Sequence, residues 1–293
     1  MKRYMEEFLE EFLYPQDARA AVVQAYDKIT ADPFRRRGLE VILERYADDK
    51  HMDYVQAFKR MAELSDEAGI HRYTGNFLLL VCLTETLRGY YREEGIGKDV
   101  WHTSMCDLKW KMDECRCVYG IWGTFVPEWY EGFFNMSRFG FVKLQFEIIP
   151  FGYRYEKDGI VLEPESRVLN THIPRTGGRL YPGDVSRSYE LGGKFFKERF
   201  QVDPLAFVCH SWLLFPRNRE VLSPDSNLYS FISGYDILSV GEDEDYSEVW
   251  RLFDVNYEGD VEKLPRNTSF RRAYADWIRK GEKVGCAYGV HIP

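Results

Sequence analysis

Through about residue 118 the apolar residues recur at spacings of three and four. Phe8, Leu9, Phe12 and Leu13 make one face, and Pro15 opens a second run that lasts to about Ile29. Pro33 opens a third, with Leu39, Ile42, Leu43 and Tyr46 on one stripe, and Val55, Phe58, Met61, Ala62 and Leu64 mark a fourth. The stripe over 73–92 carries Phe77, Leu80, Val81, Leu87 and Tyr91. Gly95 and Gly97 then interrupt before Trp101, Met105, Leu108, Met112 and Cys115 resume the spacing. This pattern predicts a module of roughly six amphipathic helices packed by their stripes.

The period then drops to two. Val142, Leu144, Phe146 and Ile148 alternate with Lys143, Gln145 and Glu147, as in a half-buried strand. Asp158-Gly159 marks a hairpin turn before strands at 160–163 and 168–173. A helix is expected from about Ser186 to Phe200, with Gly192 and Gly193 allowing close packing on a sheet. Leu205 to Leu214 is apolar almost throughout and reads as a strand covered on both faces. A helical region from Pro216 to about Ser233, a strand at 248–255, a helix near 268–280 and a strand at 285–292 complete the chain. The acidic run Glu242–Asp245 reads as a solvated loop. The expected class is α+β: a helical domain over residues 1–118, then a mixed sheet flanked by helices over 119–293.

Charge and composition narrow the partners. The chain has 293 residues, a net charge of −8, and no basic stretch denser than Arg35-Arg36-Arg37, so nucleic acid is not an expected partner. The aromatic share of 16% suggests a substantial core. Its longest apolar run, Phe77 to Leu83, is too short to span a bilayer, and the first residues are acidic and amphipathic rather than apolar. Six cysteines form no Cys-x-x-Cys pair, and Cys82 and Cys209 lie in apolar runs. A reduced, cytoplasmic protein with no membrane association and no bound metal is expected.

The junction after the strand at 168–173 is the most chemically suggestive stretch. Arg175-Thr176-Gly177-Gly178-Arg179 links a strand end to a helix start. Free amides and the positive end of the helix dipole suit such a junction to an anion such as a pyrophosphate. Cys209-His210-Ser211 offers nucleophiles, but consecutive strand residues face opposite sides and cannot form a working dyad, so core packing is the better reading.

The stretches Asp107-Leu-Lys-Trp-Lys111, Tyr119-Gly-Ile-Trp-Gly-Thr-Phe125, Leu144-Gln-Phe-Glu147, His172-Ile-Pro174 with Gly177-Gly178, and Cys209 to Pro216 occur in an order that resembles one family. It is that of the two-domain bacterial acyltransferases with a helical N-terminal domain and a GNAT-like C-terminal domain. The resemblance implies a GNAT-like mixed sheet, acyl-coenzyme A (acetyl-CoA among such donors) as co-substrate, and transfer to a small-molecule acceptor, usually an amine. It implies that Thr171, His172 and Ile173 line the pantetheine arm. Arg175, Thr176, Gly177, Gly178, Arg179 and Ser186 would then hold the pyrophosphate. The acceptor would enter between the sheet and the helical module. Acyl transfer needs a base, for which Glu147 and His172 are candidates, and an acid for the leaving thiolate, for which Tyr229 is the candidate. The family's usual Gln/Arg-x-x-Gly-x-Gly/Ala loop is absent. That departure keeps open an alternative, a coenzyme A-binding sensor or scaffold without turnover. Acceptor identity, acyl-chain length and oligomeric state are not encoded in any of these signals.

Overall fold

Asp32 shows how locally the helices are specified. Its carboxylate accepts the Phe34 and Arg35 amides, with Pro33 at the first helical position. Asp53 caps the next helix through the Gln56 amide. The computed structural model describes residues 1–293 except Gly177, Pro204, Glu244 and Ser247. It opens with α1 (Lys2–Glu11), α2 (Gln16–Thr30), α3 (Pro33–Asp48), α4 (Tyr54–Glu67), α5 (Arg72–Glu93) and α6 (Lys98–Tyr119). Helix α5 is the hub, buried at every position from Thr74 to Thr84. Gly75 lets α4 approach it, since a Cβ there would lie 1.8 Å from Ser65 Oγ.

The chain forms two compact units, Met1–Phe139 and Gly140–Pro293. Helical periodicity fades near residue 118, yet residues 119–139, including α7 (Glu131–Phe134), pack into the first unit. They do so through specific polar contacts. The Thr124 amide donates to Tyr73 O at 3.0 Å, and Trp129 Nε1 donates to the fully buried Asp107 at 3.0 Å. Tyr46 Oη donates to Phe134 O at 2.8 Å.

The second unit contains β1 (Arg138–Phe141, which begins just before it), β2 (Leu144–Pro150), β3 (Tyr155–Lys157), β4 (Ile160–Leu162) and β5 (Arg167–His172). Then come α8 (Pro182–Phe200), β6 (Phe207–Ser211), α9 (Asn218–Val221), α10 (Asn227–Ser233), β7 (Asp236–Asp243), α11 (Trp250–Phe253), α12 (Ser269–Arg279) and β8 (Val284–His291). Among the described residues, six strands form one sheet in the order β1-β2-β5-β6-β8-β7, and β3-β4 is a separate hairpin. The β5–β6 pair is parallel, with α8 as its crossover, while β2–β5, β6–β8 and β7–β8 are antiparallel. The sheet is therefore mixed, and the expected α+β class is observed.

Helix α8 covers one face of the sheet through Phe146, Phe207 and Tyr189. The other face buries Val168, Val208 and Val290 against Phe151 and Leu162 of the β3–β4 excursion. Asp236 ties that hairpin down, accepting from Tyr155 Oη at 2.5 Å and Lys157 Nζ at 2.8 Å.

Three local expectations change. Residues 248–255 do not form a strand: Trp250–Phe253 is a helical turn, and Val249 and Phe253 pack with Phe270 and Tyr274 of α12. The acidic run instead begins inside a strand, because β7 extends through Glu242 and Asp243 at the sheet edge, where both side-chain rows are partly solvated. Strand β6 is shorter than 205–214, since Ser211 Oγ accepts the Leu213 amide at 3.2 Å and starts a 3-10 turn. No helix among the described residues is long and apolar enough to cross a membrane.

The α8–sheet contact depends on the absence of a side chain at Gly192, where a Cβ would lie 2.4 Å from the Phe146 ring. Gly192→Ala is expected to cost about 1–3 kcal/mol through overpacking. Urea unfolding should show a lowered midpoint, and adding Phe146→Leu should recover part of the loss. An unchanged midpoint in the single variant would refute this contact.

Candidate active site

Strands β5 and β6 pair only briefly. Their ladder holds Leu169 opposite Phe207 and Asn170 opposite Val208. Beyond that, β5 continues through Thr171 and His172 while still paired to β2. Strand β6 continues to Ser211 while still paired to β8. The sheet therefore parts between two strands that each keep their outer neighbour. A cleft between parallel strand ends exposes backbone donors and acceptors that a ligand can meet.

Period-two alternation assigns the side chains at this opening to opposite faces. On the face away from α8, the β2–β5 register sets Glu147 opposite Asn170 and Gln145 opposite His172. His172 Nε2 lies 2.6 Å from Glu147 Oε1, and Asn170 Nδ2 donates to the same oxygen at 3.3 Å. Both members of the pair are largely sheltered, with 18% and 16% side-chain exposure, so the contact is only partly screened. Asn170 Nδ2 also lies 3.2 Å from His172 Nε2; with Glu147 ionised and so only accepting, Nε2 would carry the proton and the lone pair of a neutral imidazole would fall on Nδ1. The two bases selected from sequence thus form one unit. Asn170 completes it and was missed, although it is two residues from His172 on the same strand face.

On the α8 face the opening is lined differently. A cavity of about 150 Å³ lies between α8 and α10, bounded by Pro182, Ser186, Tyr189, Phe231, Tyr235 and His291 among others. The Tyr189 and Tyr235 hydroxyls are 2.5 Å apart. Burial raises both phenols, keeping them protonated. Thr171 is almost fully buried beside them, close enough to influence both hydroxyls but outside ordinary hydrogen-bond geometry. His291 Nδ1 lies 2.8 Å from Gly234 O, and burial depresses its imidazole pKa. Tyr229 is half-buried on α10 but does not line this cavity, whose α10 side is formed by Asn227, Ser230, Phe231 and Gly234. Tyr235, which follows α10, is a phenol that does line it.

The loop residues separate by role. Arg175 pairs with Asp254 at 2.9 Å, and Arg271 of α12 pairs with the same carboxylate oxygen at 2.6 Å. Arg175 is therefore engaged with protein, while Arg179 is exposed. Thr176 Oγ1 accepts the Gly178 amide at 3.3 Å, and Gly177 lies outside the described residues. Ile173 is half-buried at the strand end. Ser186 falls inside α8, which starts earlier than expected because Pro182, with its fixed φ, takes the first helical position after the extended Tyr181. Burial pushes the Cys209 thiol up to about 12, in keeping with a packing role.

Comparison with known proteins places this geometry. Residues 137–291 match the GNAT-like C-terminal domain, and residues 3–136 match the N-acyltransferase N-terminal domain. No curated protein sequence matches the chain. Three solved structures have a similar fold. An acyltransferase in complex with decanoyl-CoA is 22% identical, with 98% of this chain and 87% of that one covered and a TM-score of 0.76. An acyltransferase mutant in complex with octanoyl-CoA has the same identity and coverage and a TM-score of 0.79. An acyltransferase in complex with CoA and 10C-Teicoplanin, again at 22% and the same coverage, scores 0.78. At this identity the likeness establishes a shared fold.

If Asp254 holds the loop through Arg175, Asp254→Asn should release it while tolerating the left-handed backbone at that position (φ 59°). Loss of a partly exposed pair is expected to cost about 1 kcal/mol. Trypsin should then cleave after Arg175 or Arg179 about fivefold faster, with the unfolding midpoint moved little. Unaltered cleavage would show that the loop is held otherwise.

Proposed function

The chain belongs to the family that joins an N-acyltransferase N-terminal domain to a GNAT-like C-terminal domain, and we propose that it transfers an acyl group from acyl-coenzyme A to the amine of a small molecule. The observation that carries this reading is the parted β5–β6 ladder with the Glu147–His172 pair beside it. A thioester arm laid into the opening would reach the pair on one face while its nucleotide stayed on the α8 side. Three similar folds hold CoA or acyl-CoA, and one of these also holds 10C-Teicoplanin. This supports a CoA thioester donor and a small-molecule acceptor.

In this reading the acceptor nitrogen attacks the thioester carbon and gives its proton to His172 Nδ1. Glu147 orients the ring and offsets the imidazolium charge, as a buried carboxylate does for a catalytic histidine. A backbone N–H freed by the parted strands, at or near Ile173, stabilises the oxyanion. Collapse breaks the C–S bond, and the thiolate takes a proton. Tyr229, the acid expected from the sequence, does not line the cavity. The Tyr189–Tyr235 pair lines the cavity and is the better placed donor. Thr171 and Ile173 would flank the pantetheine arm, and Thr176 to Arg179 with the start of α8 would face the phosphates.

The test is product mass spectrometry with acyl-CoA donors of graded chain length and a broad panel of amines. His172→Ala should lower kcat by about 10²-fold or more, and Glu147→Gln by less, with thermal stability retained. Coenzyme A binding without turnover across the panel would instead favour a non-catalytic binding protein. Full activity in His172→Ala would remove the assigned base.

A further inference from the structure

Lys143 brings a cation to the loop from a separate turn. Val142 adopts a left-handed conformation (φ 51°) in the turn between β1 and β2, and Lys143 follows it. The Lys143 amide donates to Ser188 Oγ at 3.0 Å, and that hydroxyl donates to Asp184 O at 2.7 Å, so the turn is fastened to α8. The side chain of Lys143 runs to the glycine loop. A Cβ built on Gly178 would lie 3.2 Å from Lys143 Nζ, so a larger residue at 178 would displace the ammonium.

Lys143 is half-buried, and among the described residues no carboxylate lies within ion-pair distance of it. The neighbouring cations are otherwise committed: Arg175 to Asp254 and Arg187 to Glu190. Asp184, the acidic residue in the first turn of α8, forms no ion pair with it. Partial burial of an unpaired ammonium costs free energy, and the cost is recovered when an anion arrives. A compact ammonium on a flexible stem is also a common phosphate ligand.

We propose that Lys143 Nζ binds a phosphate oxygen of the nucleotide thioester, from a different strand turn than the loop itself. It supplies by side-chain charge part of what the absent glycine signature would supply by backbone amides. This rests on the acyl-coenzyme A reading above and adds the residue that recognises the phosphates. Gly178 is then required as clearance for the lysine, and the exposed Arg179 lies at the rim.

The test compares two donors with the same thioester, one with phosphates and one without: acyl-CoA and acyl-pantetheine. In Lys143→Met, which keeps the stem and removes the charge, the ratio of kcat/KM for acyl-CoA to that for acyl-pantetheine should fall about tenfold, a loss of about 1.4 kcal/mol. Lys143→Arg should retain most of the ratio, and raised salt should narrow the gap between wild type and Lys143→Met. An unchanged ratio, or equal loss on both donors, overturns the assignment and leaves Lys143 a structural residue. If the wild type transfers from neither donor, the catalytic reading fails separately. Calorimetry of coenzyme A with wild type and Lys143→Met then decides: weaker binding by the variant supports the phosphate contact, while equal affinity or no binding to wild type refutes it.

Discussion

Two parallel strands that release each other while each stays paired on its outer side set the geometry of this molecule's chemistry. Strand β5 is held by β2 through His172, and β6 by β8 through Ser211, although their shared ladder stops at Asn170 and Val208. An unpaired edge inside a sheet leaves backbone polar groups without partners, a costly arrangement unless something else meets them. The surrounding packing keeps the opening from closing or fraying. Gly192 and Gly193 bring α8 onto Phe146 and Leu205, and Tyr189 stacks edge-on against Phe207. The parting is braced on both sides.

The same alternation that makes a strand amphipathic divides the opening between two kinds of chemistry. Thr171 points toward the phenol pair under α8, and His172, the next residue, points to the carboxylate on the other face. Neutral hydrogen-bond donors thus occupy one side and a proton-accepting pair the other. An acyl transfer that uses a separate base and acid can draw the two from opposite faces of such an opening. A register slip of one residue in β5 would exchange the two faces.

Much of this was legible where one physical signal acted alone. The helices of the first unit announce themselves by spacing and by caps such as Asp32 and Asp53. Glu147 and His172 stood out as a polar-face residue and a strand-end residue. Their contact did not, because the β2–β5 register is set through the intervening β3–β4 hairpin and its anchor at Asp236. Residues 119–139 have no period, so their attachment to α5 and α6 through Thr124, Trp129 and the buried Asp107 was invisible. Residues 248–255 are rich in β-branched and aromatic side chains, but a run that short does not settle the element, and packing of Phe253 on α12 decided for a helical turn. Tyr229 was chosen for its spacing, whereas the cavity face of α10 belongs to other positions and the phenol that reaches the cavity comes after the helix. Function at a helix depends on which angular face is turned inward, and spacing to a downstream glycine does not encode that.

The loop after β5 gathers positive charge around one carboxylate. An acidic chain that took a polyanion at this loop would have to concentrate cations locally and hold them in place before the ligand arrived. Asp254, in a left-handed conformation at the end of α11, accepts from both Arg175 and Arg271, so one carboxylate restrains two guanidinium groups and leaves a surplus of positive charge. Arg175 is thereby tied to the end of α11. A restrained loop loses less conformational freedom on binding a ligand than a free one does. The guanidinium charge at this loop is accordingly fixed through Asp254, while the Lys143 ammonium approaches the loop unpaired from the turn between β1 and β2.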